Sequence, residues 1–181
     1  QAARGGIGAV MGSKNLKAVS VRGSKGIKCE DVSGLMNIVL EHKAMLDKSP
    51  VVANRMRFGT PSTLDITNEA GMLPTRNYQT GTFEKANDKL DSIGVEKSIV
   101  QSRGCYGCMI ACSKVTKVDE GEYKDSIVEG PEYETVGMFG SNLGVDYLPA
   151  IIEANILCDK LGLDTISTGN TIGFAMECYE K

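Results

Sequence analysis

The sequence lacks the features of several large classes of protein. No apolar run approaches the ~20 residues that cross a bilayer, and there is no signal-peptide pattern. A net charge of −3 argues against a nucleic-acid binder that relies on phosphate contacts. Tryptophan is absent and there are only five prolines, whereas 21 glycines predict many tight turns. The chain begins at Gln1, and we interpret it as part of a longer polypeptide.

Cysteine and histidine are sparse as well. Six cysteines in 181 residues are too few for a disulfide scaffold, which predicts a reducing, cytoplasmic compartment. The single histidine, His42, lies on a predicted surface helix. A zinc site would need a second pair of cysteines or several histidines, so zinc is disfavoured.

Three of the six cysteines lie close together, at Cys105, Cys108 and Cys112. This C-x2-C-x3-C spacing is typical of an iron–sulfur cluster, which needs several thiolates at one place. A [4Fe–4S] cluster normally takes four cysteines, so one ligand must come from elsewhere. Cys29, Cys158 and Cys178 are each candidates for that ligand, although Cys158 lies on the apolar face of a helix, where a small buried hydrophobe is the favoured interpretation.

Hydrophobic periodicity predicts a mainly α-helical fold with a short strand near the N-terminal end. Residues 16–23 alternate apolar and polar side chains between glycines, which is typical of a strand. Asp31 is the predicted N-cap of a helix over residues 31–48. The other predicted elements are short helices near 61–70 and 96–102, a loop over 72–81, a solvated charged hairpin over 115–130, and helices over 146–162 and 168–181.

Three further motifs have both a structural and a functional interpretation. Residues 4–9 could cradle a phosphate with glycine amides, but spacing alone favours a structural turn. Asp164 and the hydroxyl residues after it could bind a heterocycle, but an N-cap is favoured. Glu132, Tyr133 and Glu134 form either a solvated acidic loop or the start of a partly buried segment, where a glutamate could transfer protons.

Together these motifs resemble the tungsten-containing aldehyde:ferredoxin oxidoreductases. They occur in the order of that family and nearly from end to end of the chain. They are Arg-Gly-Gly-Ile-Gly-Ala-Val-Met-Gly-Ser-Lys at 4–14, the three cysteines, Gly-Pro-Glu-Tyr-Glu at 130–134 and Gly-Leu-Asp-Thr-Ile-Ser at 162–167. The resemblance implies the middle segment of such a fold. Residues 1–25 would end a cofactor-binding domain, and residues 26–181 would form a helical domain that is incomplete at its C-terminus.

The resemblance also implies the cofactors. Cys105, Cys108 and Cys112 match three ligands of one [4Fe–4S] cluster, and the fourth is expected beyond Lys181. A tungsten (or molybdenum) bis-pterin would lie beside the cluster, with magnesium bridging the pterin phosphates. The residues matched to the pterin and the magnesium are Ala3, as a backbone ligand, Arg4, Gly5, Gly6, Gly8, Asp164, Thr168 and Gly169.

The implied reaction is the oxidation of an aldehyde to a carboxylic acid, with electrons leaving singly through the cluster to ferredoxin. Tyr133 and Glu134 match active-site residues, and Glu134 would be the proton-transfer group. The family's partner histidine is not matched by His42. The resemblance is also compatible with a homodimer.

Two alternatives stay open. The tungsten subunit of an aromatic acyl-CoA reductase would share these motifs and act on another substrate. A non-enzymatic electron-transfer or zinc module would use only the cysteines.

Overall fold

Helices account for most of the regular structure. The computed structural model describes residues 4–181, and the predicted mainly helical fold class is confirmed there. In chain order the helices are α1 (Ile7–Ser13), α2 (Val32–Leu46), α3 (Pro50–Phe58), α4 (Ser62–Glu69), α5 (Ser92–Glu96), α6 (Tyr133–Phe139), α7 (Leu148–Leu161) and α8 (Thr165–Glu180). Ala3 lies outside the described residues, and the domain boundary at residue 25 stays a prediction.

Polar side chains and one glycine fix where several of these helices begin and end. Asp31 and Asp164 each accept a hydrogen bond from a first-turn amide, that of Gly34 and that of Ser167, both at 2.8 Å. These bonds satisfy amides that have no partner within the helix. Gly162 ends α7 in the left-handed region. The predicted cap at Asp31 and the predicted end at Gly162 are confirmed, while α8 begins about one turn earlier than predicted.

A small antiparallel sheet follows α5. Its strands β1 (Ile99–Arg103), β2 (Ser113–Lys117) and β3 (Ile127–Glu129) pair in chain order. The predicted hairpin over 115–130 is confirmed by β2 and β3. Val115 and Thr116 are buried rather than solvated, because one side of β2 packs into the molecule.

The strand predicted over residues 16–23 is wrong, and so is the helix predicted over 96–102. Residues 16–23 are exposed and irregular, because an alternating pattern becomes a strand only where a neighbour supplies hydrogen-bond partners. No strand pairs with them within residues 4–181. Most of the second segment forms β1, because Ile99 and Val100 suit a pleated backbone and β2 lies alongside as a partner. The β element therefore lies in the middle of the chain.

The core is built from α4, α6 and α7 and from the segment between α4 and α5. Leu64, Leu90, Val136 and Ile152 are fully buried there. Residues 135–139 of α6 are buried, so only the first turn of that helix reaches the surface. The core therefore anchors α6 rigidly behind its N-terminus.

One amphipathic helix takes no part in this core. No residue of α2 is buried, and Leu35, Met36 and Val39 on its apolar face are 38–49% exposed. His42 on the same helix is exposed, as predicted. Within residues 4–181, no helix combines the length and the apolar character that crossing a membrane requires.

Candidate cofactor cleft and cysteine loop

The three clustered cysteines lie on the loop that joins β1 to β2, residues 104–112, named here the cysteine loop. Its base is the pair Arg103 and Ser113, the last residues in register between the two strands. Within it, the amide of Cys108 donates to the carbonyl of Cys105 at 3.0 Å, which folds the C-x2-C segment into a tight turn. The sheet therefore fixes both ends of the loop.

The thiols of this loop are all unpaired. Cys105 and Cys108 are exposed and Cys112 is half-buried. Over residues 4–181, no three side chains of His, Cys, Asp or Glu are gathered into a group that could hold a metal ion. The loop therefore carries three thiols in one segment, but the three thiols do not converge on one point.

The remaining cysteines lie elsewhere. Cys158 is buried on α7, as predicted, and burial raises the pKa of its thiol. Cys29 and Cys178 are exposed, and neither lies on the cysteine loop.

The turn after α3 connects the cysteine loop with the start of α6. Gly59 has φ +74°, and a Cβ on it would lie 2.7 Å from the carbonyl oxygen of Cys112, so this contact requires glycine. The next hydroxyl, Oγ1 of Thr60, donates to a carboxylate oxygen of Glu132 and accepts from the amide of Tyr133 at 2.9 Å. One turn therefore touches both the third cysteine and the segment with the predicted catalytic residues.

The predicted catalytic residues form the first turn of α6. Tyr133 is half-buried, and Glu134 is exposed. Thr135 lies behind them, and its hydroxyl is 2.9 Å from that of Thr165 in the first turn of α8. The N-termini of α6 and α8 therefore meet.

A cleft of about 270 Å³ opens where these two helix N-termini meet. Its walls come from the end of β3, the first turns of α6 and α8 and the last turns of α7. The lining residues are Arg4, Glu129, Glu132, Thr135, Asn155, Asp159, Leu163, Asp164 and Thr165. Four of them are carboxylates, which are acceptors suited to a ligand rich in N–H donors.

Arg4 and Asp164, which lie in two distant motifs of the sequence, meet in this cleft. Nη1 of Arg4 is 3.2 Å from Oδ2 of Asp164. The same carboxylate accepts from the amide of Ser167 at 2.8 Å and from its hydroxyl at 2.6 Å. Burial by itself would raise the pKa of Asp164, but the bonds from Ser167 and the charge of Arg4 outweigh it and hold that pKa below its usual value. Asp164 is therefore both the cap of α8 and an ionised wall of the cleft.

Sequence reasoning missed Asp159. It lies on the last turn of α7, and Nδ2 of Asn155 donates to its Oδ2 at 3.0 Å. The signal that could have found it is its spacing from Asp164. Gly162 reverses the chain between them, so both carboxylates reach one cleft.

The other residues matched to the pterin lie outside the lining of this cleft. Gly5 and Gly6, with φ of 74° and 77°, lead into α1, which carries Gly8. Thr168 lies near the thiol of Cys158 and lowers its pKa, against the larger effect of burial, and buried Gly169 packs α8 against α6. Their role in cofactor binding stays a prediction.

The cysteine loop and the cleft share a wall. Glu129 lines the cleft, and its Oε1 accepts from Oγ of Ser113, the residue after Cys112, at 3.0 Å. Glu132 lines it too and is held by Thr60, beside the glycine that contacts Cys112. Three thiols on a loop that is tied to the wall of an acidic cleft are typical of a segment of a redox protein that uses a metal or cofactor.

Comparison with known proteins identifies the family. The model described as aldehyde ferredoxin oxidoreductase, domains 2 & 3, matches residues 37–181. Two relatives align with 99% of the chain: the tungsten-containing aldehyde ferredoxin oxidoreductase of Pyrococcus furiosus is 46% identical, and that of Thermococcus kodakarensis is 45% identical. The aliphatic sulfonate oxidoreductase, WOR-like subunit, of Pyrococcus furiosus is 34% identical over 98% of the chain. The chain belongs to the aldehyde ferredoxin oxidoreductase family, a family of oxidoreductases, and it spans 28–29% of the length of these relatives.

The donor sets fit the two cofactors that this family implies. Three unpaired thiols on one loop are suitable ligands for an iron–sulfur cluster. In the cleft, Asp159 and Asp164 can accept from the N–H groups of a pterin, and Arg4 can bind a phosphate.

Proposed function

We propose that this chain provides the cluster loop and one pterin-binding wall of an enzyme that oxidises an aldehyde to a carboxylic acid at a tungsten, or molybdenum, bis-pterin centre. The electrons would pass singly through a [4Fe–4S] cluster to ferredoxin. The observation that carries the proposal is the wall shared by the cysteine loop and the cleft through Glu129 and Glu132. It would set a cluster and a pterin side by side, which is the arrangement electron transfer needs.

In this proposal each group of residues has a separate task. The cysteine loop supplies Cys105, Cys108 and Cys112 as cluster ligands, with the fourth ligand expected from beyond residue 181. Asp164 and Arg4 bind the pterin and its phosphate. Magnesium at Ala3 and a homodimer stay predictions, as does a cytoplasmic location, which is supported by six unpaired cysteines.

In this reaction water supplies the oxygen atom that the aldehyde gains. An aldehyde and one water give the carboxylic acid, two protons and two electrons. The bound metal centre supplies the two-electron redox chemistry, and the protein positions the substrate and moves the protons. Glu134, in the exposed first turn of α6, would take a proton from the water. Tyr133 beside it would orient the substrate.

Metal analysis tests the function most directly. The intact native protein, purified without oxygen, is expected to hold about four irons for each tungsten or molybdenum. It should reduce ferredoxin when an aldehyde is added. Iron without a heavy metal would favour the electron-transfer module. If both metals are present but aldehydes do not reduce ferredoxin, the substrate class would be replaced. Electron transfer from reduced ferredoxin to an aromatic acyl-CoA would indicate the reductase, and reduction of ferredoxin by a sulfonate would indicate a sulfonate oxidoreductase. Zinc alone would refute both cofactors.

Glu134→Gln is expected to lower kcat by about 10²–10⁴-fold, because positioned acids and bases contribute rate factors of this size. Iron and tungsten contents should stay at the wild-type level, because Glu134 is exposed. Glu41→Gln, an exposed glutamate on α2, is the matched control and should leave kcat unchanged. Wild-type turnover in Glu134→Gln would remove this residue from the mechanism.

A further inference from the structure

We propose that Lys114 is a positioning residue for the cluster: its buried ammonium holds the cysteine loop against α3, and its positive charge stabilises the reduced cluster. The inference rests on the iron–sulfur cluster of the proposed function. It adds a residue that ligates no metal and touches no substrate. Lys114 lies on β2, two positions after the third cysteine.

The ammonium group joins three parts of the fold. Its Nζ donates to the carbonyl of Met56 on α3 at 2.5 Å, to Oγ of Ser102 on β1 at 2.8 Å and to the carbonyl of Ala111 in the cysteine loop at 3.3 Å. The residue is only 3% exposed. Because Ala111 directly precedes Cys112, the third bond fixes the backbone that presents this ligand.

The aliphatic stem of Lys114 is enclosed as tightly as its head. A Cβ on Gly59 would lie 2.9 Å from Cγ of Lys114 and 2.7 Å from the carbonyl oxygen of Cys112. The end of α3 therefore packs against the lysine stem and the third cysteine at the same time. Loss of the lysine would loosen this contact on the side of the loop that faces the protein.

Within residues 4–181, no carboxylate is among the hydrogen-bond partners of the Lys114 ammonium. Lys117, on the same strand, pairs with Asp119 at 3.2 Å, whereas the three acceptors of Lys114 are neutral. A buried cation is costly unless negative charge lies nearby. The thiolates of a bound cluster would provide that charge.

This arrangement predicts the direction of the redox effect. An electron added to the cluster makes it more negative, so a nearby buried cation favours the reduced form. Without the cation, the ratio of reduced to oxidised cluster at a fixed potential should fall about tenfold. For a one-electron couple this is a shift of about 59 mV to more negative potential.

The test compares lysine variants of the intact native protein, loaded with cofactors and purified without oxygen. Lys114→Met removes the charge and keeps most of the stem. Lys117→Met is the matched control, because it removes a lysine from the same strand about 10 Å further from the loop. Iron content is measured first, and the cluster is then titrated with dithionite while the reduced form is followed by electron paramagnetic resonance.

Lys114→Met is expected to lower the ratio of reduced to oxidised cluster about tenfold, or to lose iron while Lys117→Met retains it. Lys117→Met should change the ratio less than about twofold. Wild-type iron and potential in Lys114→Met would overturn the inference, and so would an equal shift in both variants. If Lys114→Met does not fold, Lys114→Gln decides by the same criteria. A wild-type protein without cluster iron would instead refute the proposed function.

Discussion

Cys108→Ala is expected to remove the cluster from the protein. Loss of a group that merely supports a metal ligand costs about 10–100-fold in affinity or activity, and loss of a thiolate ligand itself should cost more. Iron per polypeptide should therefore fall at least tenfold, together with the electron paramagnetic resonance signal of the reduced cluster. Transfer of electrons to ferredoxin should fall below detection, because the cluster is the proposed exit for electrons.

Cys108→Ala tests binding of the cluster rather than folding of the chain. Cys108 is exposed, and the sheet holds the loop at Arg103 and Ser113 without the thiol. Circular dichroism should therefore be unchanged. Cys178→Ala, on the exposed surface of α8, is the matched control and should keep its iron. A Cys108→Ala protein that retains the full iron content would contradict the assignment of the loop.

Features with short-range causes were predictable from the sequence. The cap at Asp31 and the helix end at Gly162 depend on neighbours within a few residues, and the burial of Cys158 follows the apolar periodicity of its own helix. The placement of the three cysteines on one loop is of the same kind, since they lie within eight residues of sequence.

Features that depend on partners distant in sequence were not predictable. Residues 16–23 have a strand pattern without a strand beside them, whereas residues 99–103 became a strand because β2 returned alongside. The bond between Arg4 and Asp164 joins residues from the two ends of the chain. The contact of Gly59 with Cys112 also joins residues far apart in sequence, and no local pattern in residues 50–60 indicates it.

Asp164→Ala is expected to destabilise the protein and to empty the cleft of its cofactor. Loss of the N-cap of α8 should lower the free energy of unfolding by about 1 kcal/mol. The same change removes the partner of Arg4 and a carboxylate of the cleft, so tungsten content should fall at least tenfold, by analogy with the loss of metal-supporting groups. Denaturant unfolding and elemental analysis measure the two effects separately.

Two further variants separate the cap from the cofactor. Asp31→Ala removes the equivalent bond at α2 and should weaken that helix locally by a similar ~1 kcal/mol while leaving tungsten unchanged. Asp164→Asn keeps a side-chain acceptor for the cap but loses the charge opposite Arg4, so it should stay folded and still lose tungsten. A wild-type tungsten content in Asp164→Asn would show that the carboxylate does not bind the pterin.

The low pKa of Asp164 adds a pH dependence with a defined sign. Its folded-state pKa lies below the unfolded value of 3.8, so the folded state favours the ionised form. The resulting stabilisation is complete above that unfolded value and is lost as the pH falls through the folded-state pKa. The stability difference between wild type and Asp164→Ala should therefore be constant near neutral pH and shrink on acidification below about pH 4. A difference that grew on acidification would mean that the carboxylate is held in its protonated form, which is incompatible with its bonds to Arg4 and Ser167.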